Sequence, residues 1–319
     1  MAATHPEDIE EFKEDVKRRF QITVNADVDQ HLGVNIKKNN DGSFSLRQSK
    51  LLKNIFNEFL EEAKKGRKRL SIPMRTTIRD QDDTPFDRRS YLHLLGMLNY
   101  MLRSRPDIST ALAFAATKAV KPTITDYQQL LDVVYYLWNS KDIGLTIHPG
   151  DPQSSLRLRC YVDASYLTHP DGRGHTGYCL CLGELGAFYS KSVKQPLVAT
   201  SSTHAEIKAL YQLCIDLIYV INLCDELERD IELPAIVFED NAPTIQLTDG
   251  LSAKAKKSKH FLMLINFIKE QVLMGLVEVH KIASKENIAD MLTKPLDWKE
   301  FEAKASKSLD NLQENKNEG

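Results

Sequence analysis

"ATSSTHAEIKALYQLCIDLIYVINLCDEL" (residues 199–227) carries an apolar stripe through Leu210, Leu213, Leu217, Val220, Cys224 and Leu227. Steps of three and four put those side chains on one face of a helix, turned into a core. Four residues before Leu210 the same stripe meets Glu206. A carboxylate at the head of a buried face is costly unless a charge partner or a metal ion meets it. Ser201, Ser202 and Thr203 stand where the helix begins. A hydroxyl there is the ordinary N-cap, and the free N–H groups of a helix start also suit a phosphate.

The segments around this helix read as strands. LRLRCYVDA (156–164) alternates, with Leu156, Leu158, Cys160 and Val162 on one face and Arg157, Arg159, Tyr161 and Asp163 on the other. HTGYCLCLGELGAFYSKS (175–192) predicts two further strands joined at Gly183–Gly186. After the helix, PAIVFEDN (234–241) predicts a short buried strand, TIQLT a small helix and HFLMLINFIKEQVL a longer one. LVEVHKI (276–282) is the last strand, and Ser284 is placed to cap a final helix carrying NIADMLTK. Three strands, a helix, a strand, helices, a strand and a helix make an α/β order around one mixed sheet.

Upstream, the pattern is mainly helical. A charged helix is expected near residues 8–20, a hairpin around Asn40-Asp41-Gly42, and a helix capped by Ser49 and running to about Leu60. KKGRKRLSIPMRT (64–76) is a basic loop or linker. Asp87 to about Asn139 reads as three helical pieces punctuated by Pro106 and Pro122. HPGDPQSS (148–155) is the best domain boundary, which divides the chain into 1–150, 151–297 and a charged tail, 298–319, expected to fray.

The 319 residues are 42% hydrophobic and 27% charged, with a formal net charge of −2. Such a balance excludes a global basic field, so an anionic partner must be held by a local patch or by metal ions. The five cysteines, Cys160, Cys179, Cys181, Cys214 and Cys224, show no C-x-x-C spacing and read as reduced core residues. The first twenty residues lack the apolar stretch of a secretory signal, and no run of about 20 apolar residues predicts a membrane span.

Asp163 and Asp240 fall at the carboxyl ends of their strands, where ligands gather in open α/β sheets. Glu206 heads the helix that must cover that sheet, and Asp290 follows the last strand by a short turn. Four acids from four distant segments are thus expected to share one rim. Taken singly, an acid at a strand end or helix start is ordinarily a cap. Gathered, the four would repel unless hard divalent cations neutralised them.

Residues 156–297 resemble the ribonuclease H domain of copia-type retrotransposon polyproteins. The likeness rests on YVDAS (161–165), RGHTGY (173–178), SKSVKQPLVATSSTHAE (190–206), FEDN (238–241), KSKH (257–260) and NIADMLTKPL (287–296). HLGVNIKKNNDGSFSLRQ, SYLHLLGMLNYMLRSRPDI and DVVYYLWNSKDIGL resemble the end of the reverse transcriptase in the same Pol polyproteins. The resemblance implies a ribonuclease H-like α/β fold, a mixed five-stranded sheet with flanking helices. A mainly helical thumb or connection remnant of the reverse transcriptase would precede it.

The resemblance further implies cleavage of the RNA strand of an RNA/DNA hybrid, with Asp163, Glu206, Asp240 and Asp290 holding two Mg²⁺ ions, or Mn²⁺ in their place. Water would then be activated by metal and not by a side-chain base. His280, ten residues before Asp290, matches a loop histidine that assists proton transfer or product release in related enzymes; the alternative is a plain strand-end histidine. His260 contacts substrate or caps a helix. Lys254, Lys256, Lys257 and Lys259 either track a phosphate backbone or are simply solvated. Ser201, Ser202 and Asn241 are further substrate-binding candidates. The partners implied are the hybrid and the remaining reverse transcriptase or integrase parts, in a cytoplasmic virus-like particle with a nuclear later stage.

The sequence departs from the family where Asp163-Ala164-Ser165-Tyr166 replaces a common D-A-D-W, and at His204 and Ile207. A polymerase Y-x-D-D turn is missing; Tyr161-Val162-Asp163-Ala164 lacks its second Asp. DNA synthesis by this chain alone is therefore not expected. The rival expectation is a catalytically inactive hybrid-binding or scaffold fragment with inherited acids.

Overall fold

The computed structural model describes residues 6–22, 29–67, 69–75, 81–148, 155–183, 186–249, 259–307 and 309. The elements of the first half are α1 (Pro6–Arg19), β1 (Gln30–His31), β2 (Val34–Lys38), β3 (Phe44–Arg47), α2 (Ser49–Lys64), α3 (Arg88–Met101), α4 (Ser109–Ala116), α5 (Ile124–Asn139) and β4 (Leu145–Ile147). The second half holds β5 (Leu156–Ser165), β6 (His175–Leu182), β7 (Ala187–Lys194), α6 (Ser202–Glu226), β8 (Ile231–Glu239), α7 (Ala242–Thr248), α8 (Lys259–Leu273), β9 (Val277–Lys281) and α9 (Trp298–Ala305).

The second half builds a five-stranded sheet in the order β7-β6-β5-β8-β9. The first three strands run as antiparallel neighbours, while β5–β8 and β8–β9 are parallel. This is the mixed five-stranded sheet with flanking helices that the resemblance implied. The alternation of β5 sends Leu158, Cys160 and Val162 toward α6, where Leu210, Leu213, Cys214 and Leu217 complete a core with α8. Burial along the α6 stripe fades past Leu217: Val220 and Cys224 are half-buried and Leu227 is exposed. The reason is length. At about 1.5 Å per residue, 25 residues of helix reach farther than the strands beneath can cover.

Contrary to the sequence expectation, α6 is long and apolar enough by composition to cross a membrane. Its buried stripe, Leu210, Leu213, Cys214 and Leu217, packs on β5 and β6.

The opposite sheet face carries Cys179, Cys181 and Ala187 into a second cluster with Leu94, Leu98, Leu112, Leu130, Val134 and Leu137 of the upstream helices. The regions before and after the expected boundary therefore share a core; residues 149–154 of that boundary lie outside the described residues. The three helical pieces between Asp87 and Asn139 and the hairpin at Asn40–Gly42 are as expected. The upstream half also holds a four-stranded sheet, β1-β2-β3-β4, whose last strand the sequence reading missed. Ser49 is not a cap. Gln48 occupies that place without a capping bond, because its side chain bonds the Tyr100 carbonyl and the Ser104 hydroxyl.

Two further expectations fail near the end of the chain. The segment carrying NIADMLTK is not an α-helix but two 3-10 turns, Ser284–Glu286 and Ile288–Leu292. Asn287 caps the second turn and also donates to the Val162 carbonyl at 2.8 Å, so the backbone is tied down on β5 before a helix can propagate. Residues 298–307 and 309 do not fray: Phe301, Ala305 and Leu309 are buried in the second cluster, and Leu309 bridges to Leu145. Apolar residues are few here, but Phe301 and Ala305, four apart in α9, share one face, and Leu309 follows beyond the helix. The rest of the tail, residues 310–319, lies outside the described residues.

Candidate metal centre

β5 and β8 are parallel neighbours, so Asp163 near the end of one and Asp240 just past the end of the other reach the same rim. Side-chain alternation sends them there by different routes. Val162 faces α6, and Asp163 therefore points to the opposite face, where Thr293 Oγ1 donates to its Oδ2. Glu206 arrives from the α6 side. Ser201 caps that helix by accepting the His204 N–H at 3.2 Å, which puts Glu206 in the second turn over the strand ends. One carboxylate oxygen from each of Asp163, Glu206 and Asp240 lies within 4.8 Å of the other two.

This clustering has an electrostatic cost. Asp163 is 4% exposed, and burial pushes its carboxyl up to about 6, with Asp290 the next largest cause. Glu206 is 5% exposed; burial first, then the charges of Glu239, Asp163 and Asp240, hold its pKa well above the carboxylate range. Its Oε2 is buried without a hydrogen-bond partner. Asp240 is half-buried and forms the open side of the group. Three carboxylates, with neither thiolate nor imidazole among them and one oxygen left without a donor, fit a hard divalent ion such as Mg²⁺ or Mn²⁺.

Asp290 stands beside this group and outside it. Its Oδ1 lies 2.6 Å from Lys294 Nζ and its Oδ2 2.9 Å from Lys304 Nζ. Lys304 is 1% exposed and also donates to the carbonyls of Ser284 at 2.9 Å, Lys285 at 3.2 Å and Asn287 at 2.8 Å. Of the four acids expected at one rim, three converge and the fourth, Asp290, faces lysines. The turn is seated close to the sheet by Gly177 of RGHTGY, where a Cβ would lie 2.6 Å from the Thr293 side chain and 2.7 Å from Leu292. Burial works against charge on Lys294, yet Asp163, Asp290 and Asp240 together hold its pKa above normal.

His280 does not join the acids. It faces the Phe238 side of the sheet, with Nε2 2.9 Å from Glu278 Oε1 of its own strand and its ring edge-on to Phe238. Ser201 is the α6 cap and Ser202 its exposed first residue. Asn241 caps α7, accepting from the Thr244 N–H at 3.0 Å. Lys254, Lys256 and Lys257 lie outside the described residues, as do the side chains of Lys259 and His260, whose backbone opens α8.

Sequence reasoning passed over Glu239, Thr293, Lys294 and Lys304, all of which meet this site. Glu239 was in plain view beside Asp240, and Thr293-Lys294 follow Asp290 within one turn. For Lys304 nothing in the local pattern signalled burial.

No family model matches the chain. It is 27% identical over 282 residues to the retrovirus-related Pol polyprotein from transposon RE2 of Arabidopsis thaliana, covering 88% of this chain and 19% of that protein. With the RE1 Pol polyprotein of the same plant the identity is 30% over 222 residues, 69% of this chain and 15% of the relative. The Ty1-LR3 Gag-Pol polyprotein of Saccharomyces cerevisiae is 28% identical over 76% of this chain and 14% of its own length. The chain therefore spans less than a fifth of the curated relatives it matches. Among solved structures, LC11-RNase H1 isolated from compost is 21% identical over 43% of this chain and 92% of its own, with a TM-score of 0.34. A foamy viral protease-reverse transcriptase in complex with RNA/DNA hybrid covers 93% of this chain and 36% of its own at 12% identity and a TM-score of 0.43.

Proposed function

We propose that this chain, a relative of the copia-type retrotransposon Pol polyproteins, is a divalent-metal-dependent endonuclease that cuts the RNA strand of RNA/DNA hybrids. The observation that carries this reading is the convergence of Asp163, Glu206 and Asp240 within 4.8 Å at the rim of a ribonuclease H-like sheet. Held by these acids, divalent ions would supply the positive charge that phosphodiester hydrolysis needs.

The chain's own residues do the positioning. Thr293 fixes the Asp163 carboxylate, and burial of Asp163 and Glu206 keeps water from screening the site on its core side. Asp240 faces outward and leaves the substrate side open. Ser201 and Ser202 at the start of α6 and Asn241 beside Asp240 offer polar groups to the backbone and 2′-hydroxyls of a hybrid. The remaining reverse transcriptase and integrase parts of a polyprotein are the protein partners in this reading.

A second reading, an inactive hybrid-binding or scaffold fragment, is favoured by one observation: both Asp290 oxygens already face lysines. A labelled RNA/DNA hybrid incubated in Mg²⁺, beside Asp240→Asn and a duplex-DNA control, separates the two. RNA-strand cutting by the unaltered chain and not by Asp240→Asn is expected. Tight hybrid binding by both proteins with no cutting by either would replace the nuclease reading with the scaffold one.

A further inference from the structure

Glu239 is the last residue of β8 and has no exposed surface. Ala235 and Val237 of the same strand lie in the core beneath α6, so alternation points Glu239 to the α6 side, toward Glu206. Its Oε1 accepts the Asn241 N–H at 2.8 Å, and its Oε2 is buried with no hydrogen-bond partner. Glu206 Oε2 is buried and unpartnered in the same way. Among neighbouring charges, that of Glu239 opposes ionisation of Glu206 most strongly. Two buried carboxylates on the α6 side, each leaving one oxygen without a donor, call for a positive charge near them. Among the described residues, Lys294 and Lys304 hold Asp290, and Lys281 Nζ donates to the Asp240 carbonyl.

We infer that Glu239 is a further carboxylate ligand of the divalent-ion centre, acting with Glu206. The inference rests on the metal-centre reading above. It assigns the inner side of the centre to Glu206 and Glu239 and the outer side to Asp163 and Asp240. The Asn241 N–H uses only Oε1 of Glu239, which leaves Oε2 for an ion.

The test is Mn²⁺ binding to the full chain without nucleic acid, with free Mn²⁺ counted by electron paramagnetic resonance. The unaltered chain is compared with Glu239→Gln, Glu239→Asp, Asp240→Asn and Asp290→Asn. Gln keeps the acceptor for the Asn241 N–H, so the fold is retained, and a thermal melt in EDTA checks this. Glu239→Gln is expected to lose one bound ion or weaken binding at least tenfold, Glu239→Asp to fall between, and Asp290→Asn to change binding less than threefold. Unchanged Mn²⁺ binding in Glu239→Gln, with Asp240→Asn impaired, would overturn this inference alone and leave a carboxyl pair sharing a proton. Absence of Mn²⁺ binding by the unaltered chain would overturn the metal centre and this inference together.

Discussion

Replacing Lys304 by Met isolates what the C-terminal helix contributes to the site. Methionine keeps most of the lysine stem and its packing while removing the ammonium. That ammonium is 1% exposed and serves Asp290 at 2.9 Å together with three backbone carbonyls. Breaking a buried ion pair from one side costs about 3–5 kcal/mol, because the remaining charge is stranded. Here Lys294 still faces the other Asp290 oxygen, so the lower half of that range is expected. For a chain of this size about 2 °C of melting temperature goes with each kcal/mol, giving a drop of roughly 6–8 °C in EDTA. Lys294→Met is the internal control. Its side chain is 44% exposed, and an exposed pair contributes about 1 kcal/mol or less, a shift near 2 °C. Thermal unfolding followed by circular dichroism reads both. A Lys304→Met chain melting within 1 °C of the unaltered one would refute the argument that α9 holds Asp290, as would a larger loss from Lys294→Met.

Two further outcomes follow from the same geometry. In EDTA, burial and like charges hold the carboxyl of Asp163 up to about 6 and that of Glu239 up to about 8, against an unfolded range near 4. A carboxyl whose folded pKa is raised contributes stability below its unfolded pKa and loses it as pH rises through the folded value. The metal-free melting temperature should therefore fall between pH 5 and 9, less steeply in Mn²⁺, and Glu239→Gln should flatten the upper part; a rise across that window would contradict the assignment. Gly177→Ala puts a methyl 2.6–2.8 Å from Thr293 and Leu292 and must shift the turn beneath Asp290. A loss of about 1–3 kcal/mol is expected from such overpacking, with weakened Mn²⁺ binding; an unchanged melt and unchanged ion count would show that the turn is not seated as described.

Much of the architecture was legible before any coordinates, because it is local. The alternation of residues 156–164 and the stripe from Leu210 to Leu217 announce one strand and one helix by period alone, and Glu206 on that stripe marks the site. Asp163 and Asp240 were readable as strand-end acids, since β5 and β8 stop where the apolar pattern stops. Only the tertiary structure decided how the acids are shared out. Whether Glu239 is a capping residue or a buried partner of Glu206 depends on which sheet face α6 covers, and that is set by packing. Asp290 pairs with Lys304 across fourteen positions, through a turn that Asn287 ties to β5 and a helix that Phe301, Ala305 and Leu309 bury. Period and spacing report on neighbours along the chain. The charge balance of a site belongs to neighbours in space, and burial, which sets its strength, exists only once the core has closed.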